Sequence, residues 1–159
     1  MEHADPVVQV LLDRIAIQDL FTRYYGSLDA ADPEGFGRYF VAGAELDVNG
    51  LVARGQKEIA ELYRKVGADK PKLIGTFRML LTNAHIEVNG TTAKASFLWT
   101  QTLNAELKGP PRLIEQGREQ DLLVKTNGQW RITRRVVTAD SGLPDLFDQT
   151  YTPREDFRL

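Results

Sequence analysis

The chain contains no cysteine, only two histidines and only two methionines in 159 residues. Without thiols there are no disulfides, no thiolate zinc sites and no cysteine nucleophile, which suits a reducing, cytoplasmic setting. No stretch approaches the ~18 consecutive apolar residues that a membrane span requires. The opening MEHADPVVQV carries acids where an export signal would carry lysine or arginine ahead of an apolar core, so no leader is expected. Neither sign of charge is in surplus: 20 basic and 22 acidic side chains leave a net charge of -2. No basic run could follow a phosphate backbone, so nucleic acid is not an expected partner. A glycine-rich phosphate loop, a G-x-S-x-G turn and a cluster of His or carboxylates at metal-ligand spacing are all missing, so no metal and no cofactor is expected. What is present, 42% hydrophobic and 26% charged residues, is the composition of one globular domain over residues 1–159.

The first third reads as helix. From Ile17, the apolar residues Leu20, Phe21, Tyr24 and Leu28 recur at helical spacing and define a buried stripe. Val8, Leu11, Leu12 and Ile15 fall on the opposite side of the same wheel, which predicts a break or a separate short helix near Asp13. Asp32 followed by Pro33 is an N-cap and first-turn pair, so a second short helix is expected through Phe36 to Phe40. A third, GQKEIAELYRKVG, ends at Gly67. Beyond it the punctuation changes. Asn49-Gly50, Asn89-Gly90 and Asn127-Gly128 are hairpin turn signals between β-rich runs, and Gly109-Pro110-Pro111 makes one more break. A helical lead followed by four long antiparallel strands, with no repeat and no linker, is an α+β fold.

Alternation along the strands predicts their inner faces. Ala93, Ala95, Phe97, Trp99, Gln101 and Leu103 share one side, with Gln101 the polar exception. In the last strand Trp130, Ile132 and Val136 define the inner side, and parity places Arg134 among them. Phe77, Met79 and Leu81 have one parity and Ala84, Ile86 and Val88 the other, which predicts a β-bulge at Thr82-Asn83 and turns Arg78 and His85 outward.

The segments YYGSLDAADPEGFGRYF, LLTNAHIEVNGTTAKASF and GREQDLLVKTNGQWRITRRVV, in this order between Asp13 and Thr138, resemble the SnoaL-like branch of the nuclear-transport-factor-2-like superfamily. The resemblance implies a cone: a strongly curved antiparallel sheet wrapped around N-terminal helices, with a pocket opening into its interior. Members include cofactor-independent dehydratases, isomerases, cyclases and other lyases, and also non-catalytic subunits, so the fold alone does not name a reaction. It implies that Tyr24 and Asp29, at the end of the first helix, face the pocket. There a phenol and a carboxylate can share a proton, and burial raises the carboxylate toward a useful range. The plainer reading makes Tyr24 a core residue and Asp29 a solvated helix end.

Departures from the family are equally informative. Met79 stands where several catalytic members carry histidine, and a second histidine has no counterpart near Gln116. Glu119 replaces the usual tyrosine after glycine-arginine. On the implied parity it points inward, where a carboxylate needs a partner such as Arg134 or Arg78. The expectation is therefore a cofactor-independent lyase, a dehydratase or a retro-aldol type enzyme. It would act through Asp29, Tyr24 and Glu119 on a small aromatic or polycyclic hydroxylated compound. Phe40, Met79, Trp99, Gln101 and Arg134 would contact the substrate. Phe21, Phe97 and Trp130 complete apolar walls that would serve equally well as ordinary core. The alternatives are a ligand-binding domain without turnover and an accessory β-subunit of a ring-hydroxylating dioxygenase. A homodimer or homotrimer is expected, with residues 140–159, rich in large apolar groups, covering the mouth of the cone or a partner.

Overall fold

The computed structural model describes residues 5–26, 33–69 and 75–142. Helix α1 (Pro6–Gly26) is followed by a 3-10 helix (Pro33–Tyr39), strands β1 (Phe40–Val48) and β2 (Leu51–Arg54) and helix α2 (Gly55–Asp69). Four long strands follow: β3 (Thr76–Asn89), β4 (Thr92–Asn104), β5 (Arg112–Thr126) and β6 (Gln129–Gly142). They form one curled, unclosed sheet of order β2-β1-β6-β5-β4-β3, antiparallel except where β1 runs parallel to β6. The β1–β2 turn fixes that parallel contact. Asn49 donates its backbone N–H to the carbonyl of Val137, and its side-chain oxygen accepts from the N–H of Ala139.

The Asn-Gly signals act as turns because these residues tolerate positive φ. Asn49 and Gly50 have φ of 52° and 90°, and Asn127 and Gly128 have 51° and 75°. In the β3–β4 hairpin Asn89 already pairs with Thr92, and Gly90 alone takes the positive φ, the pattern of a II′ turn. The β3 bulge lies where the parity switch puts it: Asn83 has a φ of 52° and the register shifts between Thr82 and His85. Arg78 and His85 are exposed.

No break occurs near Asp13; α1 is continuous. The buried stripe extends back by one turn through Asp13 itself, which lies with Ile17, Leu20, Phe21 and Tyr24 against the sheet. Asp13 Oδ1 accepts from Lys125 Nζ at 2.7 Å and from Trp130 Nε1 at 3.0 Å, and Gln9 donates to Oδ2 at 3.3 Å. Burial pushes this carboxyl up, but the three hydrogen bonds and the lysine charge outweigh it and hold Asp13 below its ordinary value. Val8, Leu11, Leu12 and Ile15, on the other side of the wheel, remain exposed.

The predicted inner face of β4, from Ala93 to Leu103, is buried throughout, Gln101 included. Phe97 meets Phe21 of α1 edge-on, with centroids 4.8 Å apart. Trp99 lies over Gly117 of β5. A Cβ there would stand 2.6 Å from the indole and 2.1 Å from the carbonyl oxygen of Thr138, so only glycine fits. The last strand departs from simple parity. Its pairing with β5 slips by one residue between Leu122 opposite Arg134 and Leu123 opposite Ile132. The extra residue, Thr133, donates its hydroxyl to the Leu122 carbonyl. This bulge reverses the faces, so that Ile132 and Arg135 point inward. Arg134 points outward and donates to Glu45 at 3.1 Å. The expected inward Arg134 is thus corrected to Arg135.

Candidate functional site

Three inward strand positions and the end of α1 bring a charged cluster into the interior of the curl. Glu119 and Asp121, two residues apart on β5, share the face of Phe97 and Ala95, which they oppose on β4. Arg135 lies directly opposite Asp121 on β6 and reaches Glu119 diagonally. The side chains of Arg135, Glu119 and Asp121 are completely enclosed. Arg135 donates from Nη2 to Glu119 Oε2 and to the hydroxyl of Tyr25, whose own O–H is given to the same carboxylate oxygen. Asp121 stands further off, its Oδ1 3.6 Å from Arg135 Nη1.

Aromatic rings enclose the guanidinium. Its carbon lies 4.3 Å from the Tyr24 centroid, 5.2 Å from that of Tyr25 and 5.3 Å from that of Phe21. Such faces attract a cation, and more strongly where water is excluded. Tyr24 in turn packs edge-on to Tyr39 at 5.3 Å and to Phe40 at 6.0 Å, and shares a hydrogen bond with the hydroxyl of Tyr63 on α2. The tyrosine pair closing α1 therefore divides its work: Tyr24 meets another phenol, and Tyr25 meets the carboxylate.

One buried cation faces two buried carboxyls. Two anions and one cation in a dry interior leave an uncompensated charge of high cost. Of the two, Asp121 is the carboxyl whose surroundings favour the protonated form. Burial pushes this carboxyl well above its ordinary 3.8, neighbouring Glu119 adds to the effect, and Arg135 opposes it without cancelling it. Burial likewise raises the phenols of Tyr25 and Tyr63, so both stay protonated. The acids around Arg135 hold its guanidinium charged despite burial. Several polar atoms at this site have no hydrogen-bond partner in the protein: Trp99 Nε1, Glu119 Oε1, both oxygens of Asp121, and Arg135 Nε and Nη1. Buried groups left this way are uncommon in folded proteins and ask for an explanation.

Of the residues named from sequence, Tyr24 and Glu119 come together here through Arg135, with Phe40 beside Tyr24. Trp99 is one inward step along β4 from Phe97, and Gln101 one step further, where it pairs with the half-buried Met79. Arg134 is outside, on the opposite face of the sheet. Asp29 lies outside the described residues, as do His3 and the C-terminal segment from Leu143 onward. The parity that the resemblance implied for Glu119 also turns Asp121, two residues on, inward, a residue the sequence reading missed. Arg135 carried no such signal, because the bulge at Thr133 hides its direction. Among the described residues, no three His, Asp or Glu side chains are grouped to hold a metal ion, and no helix is long and apolar enough to cross a membrane.

A family model described as a SnoaL-like domain matches residues 9–136. None of the curated proteins shows significant sequence similarity to the chain. Among solved structures, the chain is similar to an aspartate-to-asparagine variant of a protein of unknown function from Mycobacterium tuberculosis. The identity is 28%, the coverage is 91% of this chain and 81% of that one, and the TM-score is 0.73. It also superposes on a proposed scytalone dehydratase from Novosphingobium aromaticivorans, with 21% identity, 91% of each chain covered and a TM-score of 0.69. A third match is a protein from Catenulispora acidiphila in complex with S-DNPA, with 19% identity, 79% of this chain and 92% of that chain covered, and a TM-score of 0.68. At these last two identities the likeness speaks for the fold alone.

Proposed function

Since the chain belongs to the SnoaL-like family, we propose that it is a cofactor-independent lyase, a dehydratase or retro-aldol type enzyme. Its substrate would be a small hydroxylated aromatic or polycyclic compound. One observation carries this reading: the carboxyl groups of Glu119 and Asp121 are buried side by side against one guanidinium, with polar atoms that the protein leaves unpartnered. Buried neighbouring carboxyls of which one, here Asp121, is raised by its surroundings are common equipment of acid-base catalysis. The resemblance to dehydratases supports Asp29 as the residue that takes a proton from the carbon beside a carbonyl. As the C–H electrons form the new double bond, the C–O bond breaks and the departing hydroxyl takes a proton held by the Glu119 and Asp121 pair. Tyr24, its hydroxyl shared with Tyr63, polarises the carbonyl oxygen as negative charge develops there. Protons taken and given are exchanged with solvent between turnovers. The aromatic surroundings, Phe21, Phe40, Phe97 and Trp99, suit a flat apolar substrate. On the outer face of the sheet, exposed Leu80, Leu98 and Leu122 support assembly into a homodimer or homotrimer.

The complete enclosure of Arg135 and Glu119 favours a second reading, in which the cluster only braces the sheet and the chain binds a ligand without turnover. The test uses 3-hydroxy-1-tetralone, whose loss of water yields 1-naphthol, followed by fluorescence. The lyase reading expects turnover above the uncatalysed rate. It also expects a fall of ~10²-fold or more in both Asp29→Asn and Glu119→Gln, with the folded state verified by circular dichroism. Variants that fold and turn over at the parental rate would leave only the bracing role.

A further inference from the structure

A second feature lies on the far side of Tyr39. Helix α1, the 3-10 helix and the β5–β6 turn enclose a groove of about 770 Å³, within the range of small-molecule sites. Its floor is apolar, from Leu20, Tyr39 and Trp130, all buried. Its rim carries three arginines, Arg23, Arg38 and Arg131, and no carboxylate among the described lining residues. Arg23 is engaged by Asp19 at 3.1 Å in an exposed pair of the kind that contributes little. Arg38 is exposed, its guanidinium carbon 5.2 Å from the Tyr39 centroid, where the ring attracts the cation. The Tyr39 ring that forms the floor is the same ring that packs against Tyr24, so groove and cluster share a wall.

We propose that this groove binds an organic anion, a planar apolar body carrying a carboxylate or a phosphate, with its oxygens held by Arg38 and Arg131. Arginine suits this task because its planar fork matches two oxygens of one anion, which a lysine cannot do. Placing such cations around an apolar floor selects a ligand that is greasy at one end and anionic at the other. The groove is separate from the buried cluster and the inference goes beyond the lyase reading; it is tested by binding alone, so either can fail without the other.

The experiment titrates the full chain with 2-naphthoate, 2-naphthyl phosphate and 2-naphthol and follows tryptophan fluorescence, with calorimetry as a check. At least one of the two anions should bind ten-fold or more tightly than the neutral naphthol. That advantage should shrink as salt rises from about 0.05 to 0.5 M. The tighter anion identifies the source, a carboxylic acid or a phosphoester. Arg38→Ala combined with Arg131→Ala should erase the preference and leave naphthol binding unchanged. Both side chains lie at the rim, so the fold should survive, and Arg38→Lys should restore only part of the effect. Equal affinity for anion and naphthol, no binding of any of the three, or a double variant that keeps the preference would each overturn the proposal.

Discussion

Replacing Asp121 and Glu119 separately by their amides tests the charge state of the buried cluster. Glu119→Gln removes the direct partner of Arg135 and leaves the enclosed guanidinium only Asp121, whose Oδ1 stands 3.6 Å away. Breaking one side of a buried pair in this way costs about 3–5 kcal/mol. With a urea slope of about 2 kcal/mol/M for a domain of this size, the midpoint should fall by about 2 M. Asp121→Asn exchanges a neutral acid for a neutral amide of the same shape, so at pH 5 it should cost ~1 kcal/mol or less. The pH dependence supplies the sign. The folded pKa of Asp121 lies above its ordinary 3.8, so between those values the native chain binds more protons than the unfolded one. Stability therefore falls as pH rises through that window. Asparagine does not titrate and escapes the loss. The variant should therefore gain on the parent as pH rises from 5 to 7. Urea midpoints at pH 5, 6 and 7 read this directly. If Asp121→Asn cost as much as Glu119→Gln and the gap ignored pH, Asp121 would be ionised and the shared-proton argument would fail.

Asp13→Ala should lower stability by about 2–3 kcal/mol, since it strips Lys125 and the buried Trp130 N–H of their common acceptor. Because the folded pKa of Asp13 is depressed, its contribution is present above 3.8 and lost as pH falls through the folded value. The variant should thus show a flatter acid limb in thermal melts. Gly117→Ala should cost about 3 kcal/mol or more, because the obstacle on one side is the backbone at Thr138; a melting temperature within a few degrees of the parent would contradict the close approach. Tyr24→Phe should reduce turnover less than Asp29→Asn, since it deletes one hydroxyl and keeps the ring packing; steady-state kinetics on the same substrate rank them. Truncation after Gly142 should weaken stability or change the oligomeric state, and a truncated chain identical in both to the parent would remove the covering role assigned to residues 140–159.

Much of the fold was legible because its signals are local. Asn-Gly pairs need positive φ wherever they make a turn, and alternation in TAKASFLWTQTL has one consistent inner side. The change of parity between Leu81 and Ile86 demanded a bulge, and Asn83 provides it. The misreading at Asp13 has a different origin. Its position on the buried stripe is visible in the spacing 13, 17, 20, 21 and 24, but a carboxylate there looks like an interruption until Lys125 and Trp130 are known to meet it. Those partners are more than a hundred residues away, and no local pattern announces them.

The site was legible in part for the same reason. The inward side of Glu119 came from the family resemblance, and strand alternation then carries Asp121, two residues on, to the same side. Arg135 does not follow, because Thr133 inserts one residue into β6 and the insertion carries no glycine or asparagine to mark it. The result is decided by energetics across strands. With Arg134 inward, Glu119 and Asp121 would face an arginine out of register, and Glu45 would keep only Arg54 as a cationic partner. With the bulge, one arginine serves the two inner acids and its neighbour serves the outer one. The RR pair of TRRVV thus sends one arginine to each face, Arg135 to the buried carboxyls and Arg134 to Glu45.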